Sequence, residues 1–293
     1  MFYQEFIPPP ALKPYIHLYG VLEEPTISAK PLTVQIPPIP GAGFAFYYRR
    51  KYPILLSSDQ TEQTLPHGYI LPYFRGSYTI QYRGGFTLIV AILKPGQARK
   101  FLKLPYAAIV GQPTSFSDLN LKELDYLQDQ VQEASSNHTR INLLNKFFLR
   151  KLKHIQTEPD LLDKLLMEWV KNPRIHLEAL ADRCRVSTRH LRRLFKEHLG
   201  ISPKSFQKTV RFNRVLAIIS RQQFSSLSEI AYWAGYYDHS HFDAEFREFT
   251  GKRPTEFLRQ HNQLIDAMHW RNRVENHRVI QESQKLSQSE LEF

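Results

Sequence analysis

Leu177-Glu-Ala-Leu-Ala-Asp-Arg-Cys-Arg-Val-Ser187 and Leu227-Ser-Glu-Ile-Ala-Tyr-Trp-Ala-Gly-Tyr-Tyr-Asp238 open two stretches that say the same thing twice. Behind Ser187 come Leu191, Phe195, Gly200, Pro203 and Phe206, and behind Asp238 come Phe242, Phe246, Gly251, Pro254 and Phe257. The copies lie 50 residues apart ahead of the turn (Leu177 to Leu227) and 51 behind it (Ser187 to Asp238). A one-residue change in a turn, with the apolar period intact on both sides, is what two helix-turn-helix units would give.

Within the first copy, Leu177 to Cys184 reads as a short helix, Arg185-Val186 as the turn, and Ser187 as the cap of a helix running to Leu199, where Gly200 supplies a left-handed stop. Leu191, Leu194, Phe195 and Leu199 share one face and are expected to be buried. Thr188, Arg189, His190, Arg192, Arg193 and Lys196 are left outside. Such a face can lie in the DNA major groove, with base edges reached from its N-terminal half and phosphates held by flanking residues. Pro203 then starts a long helix through Ser220 that joins the units, with Phe206, Val210, Phe212, Val215, Ile218 and Ile219 as its apolar set. The second copy repeats the pattern from Leu227 to Ala234, a turn at Gly235-Tyr236-Tyr237, and an Asp238-capped helix to Thr250.

Charge separates the copies. Residues 171–221 hold 13 Lys or Arg against three Asp or Glu, a net of +10 out of the +11 of all 293 residues. Most of these cations are arginine, whose planar fork suits phosphate oxygens and guanine edges. Residues 222–262 hold four Lys or Arg against six Asp or Glu, a net of −2. The first unit is expected to anchor and the second to adjust.

Ahead of the repeat the composition changes. Residues 1 to 115 contain 15 of the 19 prolines and nine of the 12 glycines, which excludes long helices. Short β-branched and aromatic runs at 15–22, 32–36, 43–48, 77–82 and 86–93 predict strands of a small barrel or sandwich, with Gly84-Gly85 as a hairpin turn and one helical turn at 97–102. Core packing accounts for most aromatic residues between Phe44 and Phe86. From Ser117 the periods become helical: one amphipathic helix carries Leu121, Leu124, Leu127 and Val131, and a second, capped by Thr139, carries Ile141, Leu144, Phe148, Leu152 and Ile155. These two either pack on the β half or pair with a second copy of the chain. Thr157 to Asn172 predicts another helix. The fold class is therefore α+β: a mostly-β barrel or sandwich over 1–116, a helical linker over 117–157 whose helices are candidates for dimerisation, an all-α domain with two helix-turn-helix units over 158–261, and a polar tail, expected to be disordered, over 262–293.

Several function classes fall away. Cys184 is the lone cysteine, so neither an internal disulfide nor a multi-thiolate metal site can form. It reads as a small buried hydrophobe in a helix. His17 and His67 are the histidines of the β half and stand in no ligand-spaced cluster. No phosphate-binding glycine loop or nucleophile elbow stands out, so no enzyme, cofactor or metal site is expected. An alkylation-repair or barrel enzyme would need ligands or an exposed nucleophilic cysteine, and a nonspecific architectural protein would bind all DNA equally. No run approaches 18 apolar residues and no secretory signal opens the chain, which predicts a cytoplasmic protein that meets no membrane.

Leu180-Ala181, Ser187, Leu191, Arg193, Phe195-Lys196, Gly200 and Ser202-Pro203, then Glu229-Ile230-Ala231, Gly235-Tyr236, Asp238, Ser240-His241-Phe242, Phe246-Arg247, Gly251 and Pro254, resemble the AraC/XylS transcription regulators. The resemblance implies a seven-helix DNA-binding domain whose two units enter successive major grooves. By position in the motif it assigns base reading to Arg189, Arg192 and Arg193 in the first unit, and to His239, Ser240 and Asp243, with Ala244 beside them, in the second. Ala244 departs from the basic residue many members carry there. Phosphate contacts fall to Thr188, Lys196, Lys204 and Arg247. Double-stranded DNA, RNA polymerase, a small-molecule effector and a homodimer are the partners implied. The Pro-rich start and Ile92-Leu-Lys-Pro-Gly96 resemble, more loosely, sensor halves of that family, so the function implied is sequence-specific transcription regulation controlled by an effector or by oligomerisation through the first domain.

Overall fold

Every residue of β4 (Gly43–Tyr48) is buried, and the layout of the first half follows from that. Phe44, Phe46 and Tyr48 belong to one apolar core, while Ala45 and Tyr47 belong to another. A strand whose side chains alternate between two cores must be covered on both faces. The structure, a computed structural model, describes residues 2–25, 31–48, 53–56, 62–73, 76–82, 84–102, 111–221 and 224–259. The expected tail at 262–293 lies outside the described residues.

β4 sits inside a six-stranded antiparallel sheet with β1 (Phe2–Phe6), β2 (Ile16–Glu24), β7 (Gly68–Leu71), β9 (Phe86–Leu93) and β10 (Thr114–Ser115), in the order β1-β2-β9-β4-β7-β10. Phe44 faces Ala91 and Phe46 faces Ile89 across the β4–β9 ladder. A second sheet, in the order β3-β8-β5-β6, is built from β3 (Leu32–Ile36), β8 (Tyr78–Tyr82), β5 (Ile54–Leu56) and β6 (Glu62–Thr64). Between the sheets lie Ala45, Tyr47, Tyr69, Leu71 and Leu88 from one side and Leu55, Ile80 and Tyr82 from the other. The first half is thus a sandwich. The hairpin expected at Gly84-Gly85 is corrected: β8 pairs with β3 and β5, β9 pairs with β2 and β4, and the chain crosses between sheets there. Tyr82 and Phe86 stack at 4.3 Å across that crossing, so inter-sheet packing prevails over the local turn signal.

The outer face of the six-stranded sheet is covered by α1 (Ala98–Leu102), α2 (Lys122–Glu133) and α3 (Asn137–Leu152). Leu124, Leu127 and Val131 of α2 and Ile141, Leu144, Phe147 and Phe148 of α3 join Phe44, Phe46 and Ile89 in one core. Phe148 alone meets Tyr19, Phe44, Phe101 and Phe147 with ring centroids 5.2–6.4 Å apart. Ser136, not Thr139, caps α3: its extended backbone lets the side chain accept from the Thr139 amide at 3.1 Å.

Seven helices follow: α4 (Leu161–Lys171), α5 (Leu177–Arg183), α6 (Thr188–Leu199), α7 (Pro203–Arg221), α8 (Leu227–Ala234), α9 (His239–Thr250) and α10 (Pro254–Arg259). The helix expected from Thr157 begins only at Leu161, because Asp160 and Asp163 form a reciprocal capping box that fixes its start. One core gathers Leu165, Trp169, Leu180, Leu191, Phe195, Phe206 and Val210. Another gathers Phe212, Val215, Leu216, Ile230, Phe242, Phe246 and Phe257. Cys184 is the C-cap of α5 rather than part of its interior, half-buried, with its thiol pKa pushed up by desolvation and then by Glu168.

The sandwich is fastened to this helical half at three places. Tyr73 is buried in the first helical core, where its hydroxyl donates to the Ser205 carbonyl at 2.9 Å and is paired with the Thr209 hydroxyl. Asn213 of α7 donates to the Pro38 carbonyl at 2.7 Å. The Asp163 carboxylate takes Arg99 at 2.8 Å, Lys100 at 2.6 Å and the Gln97 amide at 2.9 Å. Burial works to raise the Asp163 pKa, but the hydrogen bond from Lys100 and the charges of Arg99 and Lys100 outweigh it and the net direction is down. A carboxylate held below its unfolded value stabilises the fold above the ordinary aspartate range and loses that contribution as pH falls through its folded pKa. Asp163→Asn leaves the half-buried Lys100 without its counter-charge and Arg99 with Asp160 alone, at 2.7 Å, and is expected to cost about 3 kcal/mol at pH 7. Urea unfolding measures this; the gap to wild type should close as the buffer is taken below about pH 3.9, and equal midpoints at pH 7 would refute it.

Candidate nucleic-acid interface

α6 is fixed at both ends by its own sequence. Ser187 accepts from the His190 amide at 3.1 Å, and Gly200 takes φ 70° beyond the last turn. Leu191, Phe195 and Leu199 seat it in the first helical core. The opposite face carries Arg189, Arg192, Arg193 and Lys196, all exposed, with Thr188 and His190 half-buried at its start. Arg193 is steadied by a donated bond to His190 Nδ1 at 3.1 Å and by Glu197 at 3.5 Å. Among the described residues Arg189 and Arg192 are held by no hydrogen bond or ion pair. Arg192 and Lys196 line a recess of about 440 Å³ with Ser202, Pro203 and Ser205, where α7 begins and Ser202 caps the Ser205 amide at 3.1 Å. Lys204 stands exposed in that first turn. Two side-chain cations beside the positive end of a 19-residue helix make an anion-attracting rim.

The second unit repeats this frame with different contents. Asp238 accepts from the His241 amide at 2.7 Å, and Phe242, Phe246 and Phe249 seat α9 in its core. His239, Ser240, Ala244 and Arg247 are exposed, and Asp243 is half-buried and turned toward His239 at 3.5 Å. Glu245, on the inner side, accepts from Arg211 of α7 at 2.7 and 3.2 Å and sits 3.0 Å from His241 Nε2. The Arg211 guanidinium lies over the Tyr236 ring at 5.2 Å, and burial raises the Tyr236 hydroxyl well above its ordinary value. This buried cluster locks α9 onto α7. Sequence reading missed it, although Arg211 falls four residues before Val215 on the inward stripe of α7. Lys208 likewise reaches Glu248 at 2.6 Å.

The two turns are the same turn. Val186 donates to the Ala181 carbonyl at 3.0 Å and Tyr236 to the Ala231 carbonyl at 2.9 Å. Arg185 and Gly235, one residue earlier in each, take φ 55° and 97°. Both are Schellman closures, so the residue added in the second copy is Tyr237, just before the Asp238 cap. Among the described residues no group of three His, Cys, Asp or Glu side chains could hold a metal ion, and no helix is long and apolar enough to cross a membrane.

Comparisons with known proteins follow the same division of the chain. A family profile described as a helix-turn-helix domain matches residues 180–260, and one described as a domain of unknown function (DUF6597) matches residues 4–115. The HTH-type transcriptional activator RhaS of Escherichia fergusonii is 31% identical over 94 residues, which is 31% of this chain and 34% of that protein. RhaS of Salmonella arizonae matches with the same identity and coverage. The chain thus spans about a third of the length of these curated relatives. A crystal structure of ToxT from Vibrio cholerae O395 is 12% identical, with a TM-score of 0.45, over 87% of this chain and 96% of that one. The helix-turn-helix profile and the RhaS relatives thus fall on the doubled unit around Ser187 and Asp238, the part of the chain whose residue pattern resembles the AraC/XylS regulators.

Proposed function

We propose that the protein is a sequence-specific DNA-binding transcription regulator, with control exercised through the sandwich. The observation that carries this reading is the exposed arginine face of α6, presented on a helix that is capped, stopped and seated in its own core. Arg189, Arg192 and Arg193 read base edges in one major groove, while Thr188, Lys196 and Lys204 hold phosphates, Lys196 from the lining of the recess and Lys204 from the first turn of α7. His239, Ser240 and Asp243 read a second groove, and Arg247 holds phosphate beside it. The relatives named above are transcriptional activators, and activation, through contact with RNA polymerase, is the direction proposed here, with a second copy of the chain on a paired site.

Of effector and oligomer control, the effector has the better support. The apolar stripes of α2 and α3 are taken up by the six-stranded sheet. Beside them a cavity of about 420 Å³ is lined by Phe44, Phe101, Leu102, Leu124 and Phe147 together with Asn120, Lys122 and the Glu123–Lys151 ion pair at 2.7 Å. Phe101 and Leu102 belong to α1, the same short helix whose Arg99 and Lys100 grip Asp163. A small molecule seated there would press on the element that fastens the sandwich to α4.

Arg193→Ala is expected to weaken specific binding by about 1–3 kcal/mol and to relax one base position, because a single side chain stops discriminating at one base edge. Competition binding against a duplex selected by the wild type from a random library measures it, and unchanged selectivity would refute the assignment. Affinity for that duplex should also fall as a power of salt concentration, with a slope near −0.9 per phosphate neutralised, and Lys196→Ala and Lys204→Ala should each reduce the slope by about 1. A salt-independent complex would contradict the phosphate-anchoring role.

A further inference from the structure

We infer that residues 173–176 form a brace between the two helix-turn-helix units, closed by Tyr237, and that this brace sets the spacing between the two DNA segments the protein reads. The inference deepens the DNA-binding reading and rests on it.

The segment Pro173-Arg174-Ile175-His176 runs from α4 to α5 and is held firmly from the first unit's side. Trp169 Nε1 donates to the Ile175 carbonyl at 2.9 Å, and Gln207 of α7 donates to the carbonyls of Pro173 and Ile175 at 2.9 and 3.0 Å. Its other side meets the second unit at three points. The Arg174 guanidinium lies 4.0 Å over the Tyr232 ring and donates to the Tyr232 carbonyl. Gly235 lies so close that a Cβ there would come within 3.2 Å of both Pro173 Cγ and Arg174 Cγ. The Tyr237 hydroxyl and His176 Nε2 are 2.8 Å apart, with the rings at 5.7 Å. Tyr237 is the residue by which the second turn is longer than the first. The insertion that shifts the repeat from 50 to 51 residues thus supplies a tie between the copies.

Geometry gives the tie its consequence. α7 by itself joins the units along one line, and a single helix leaves rotation about its ends to be resisted only by the packing there. The brace adds a second line of contact on the side of Tyr232 and Tyr237, so α6 and α9 are held at one separation and one relative angle. Adjacent major-groove segments repeat every 10–10.5 base pairs, and inserting one base pair shifts the second segment by about 3.4 Å and turns it by roughly a tenth of a helical turn. A braced pair of reading helices resists that shift along two lines of contact, whereas an unbraced pair resists it only through the packing on α7, the Arg211–Glu245 and Lys208–Glu248 pairs included.

Arg174 and Tyr237 are exposed, so Arg174→Ala with Tyr237→Phe removes the cation and the hydroxyl without opening a core. The full chain first selects a duplex from a random library. Wild type should lose affinity about tenfold when one base pair is inserted between the two selected blocks, and the double variant should lose less than about threefold. A double variant with the wild-type spacing penalty would overturn the brace. A second readout needs no DNA: nitroxides at Glu197→Cys on α6 and Ala244→Cys on α9, in a Cys184→Ser background, should give a narrow pulsed-EPR distance distribution that broadens in the double variant. An unchanged width overturns the brace and leaves the DNA-binding reading intact. Failure of the wild type to select any duplex overturns that reading instead, and the EPR result still decides the brace.

Discussion

Everything in the helical half depends on α7 being buried on two sides at once. Phe206 and Val210 sit in the first core, and Phe212, Val215, Leu216 and Ile219 in the second. A helix of 19 residues is about 28 Å long, so its two ends can serve two cores without either closing over the other. Burying both ends of one rigid rod is what makes two small units, each too small for a large core of its own, into one domain. The Arg211–Glu245 pair completes the arrangement from within. Two charges out of water are tolerable only when each finds full partners, and here Glu245 has both guanidinium bonds and His241 while Arg211 has the Tyr236 face as well. The pair specifies one seating of α9 on α7 that apolar contact alone would leave free to slide.

The same helix carries the link to the sandwich. Thr209 and Asn213 lie one turn apart, and they meet Tyr73 and the Pro38 carbonyl. Beside them Gly96 takes φ 76°, and a Cβ there would come within 2.5 Å of Leu166 Cδ1, so the segment leading into α1 is pressed against α4. Arg99, Lys100 and Gln97 then reach Asp163, which is also half of the capping box that starts α4. A displacement of α1 therefore cannot be absorbed locally. It acts on the first turn of the first helix of the helical half, through a carboxylate that has two jobs.

What could be read in the sequence was what local chemistry dictates. Ser187, Gly200 and Asp238 declare helix ends by themselves, and the stripes of α2, α3 and α6 follow from period alone. What could not be read was partnership at a distance. Tyr78–Tyr82 and Phe86–Leu93 look like the arms of a hairpin, and only the pairing of each with strands far away in the chain shows that they belong to different sheets. β1, β7 and β10 carry signals too short to stand against their proline-rich and polar surroundings and are stabilised by neighbours. Thr139 and Ser136 are both chemically able to cap a helix; the backbone chose Ser136 by turning extended there.

Charge shows the same limit most sharply, and changes how the second unit is understood. Counting placed −2 on residues 222–262 and +10 on 171–221. Yet Glu245 and Glu248 are met by Arg211 and Lys208 from the other window, so part of each excess cancels across the α7–α9 contact. Glu229 is drawn back to Ser225, whose backbone and hydroxyl bonds lower its pKa. Asp238 is occupied with the His241 amide, and Asp243 leans on His239. The outer face of α9 is therefore close to neutral rather than acidic. Apart from the phosphate contact proposed for Arg247, whatever His239, Ser240 and Ala244 contribute would come from short-range hydrogen bonds and apolar contact with base edges. On the proposed reading such contacts require α9 to be delivered to its groove by something else, and the arginine face of α6, with the contacts that tie the two units together, is the part of this molecule able to do that.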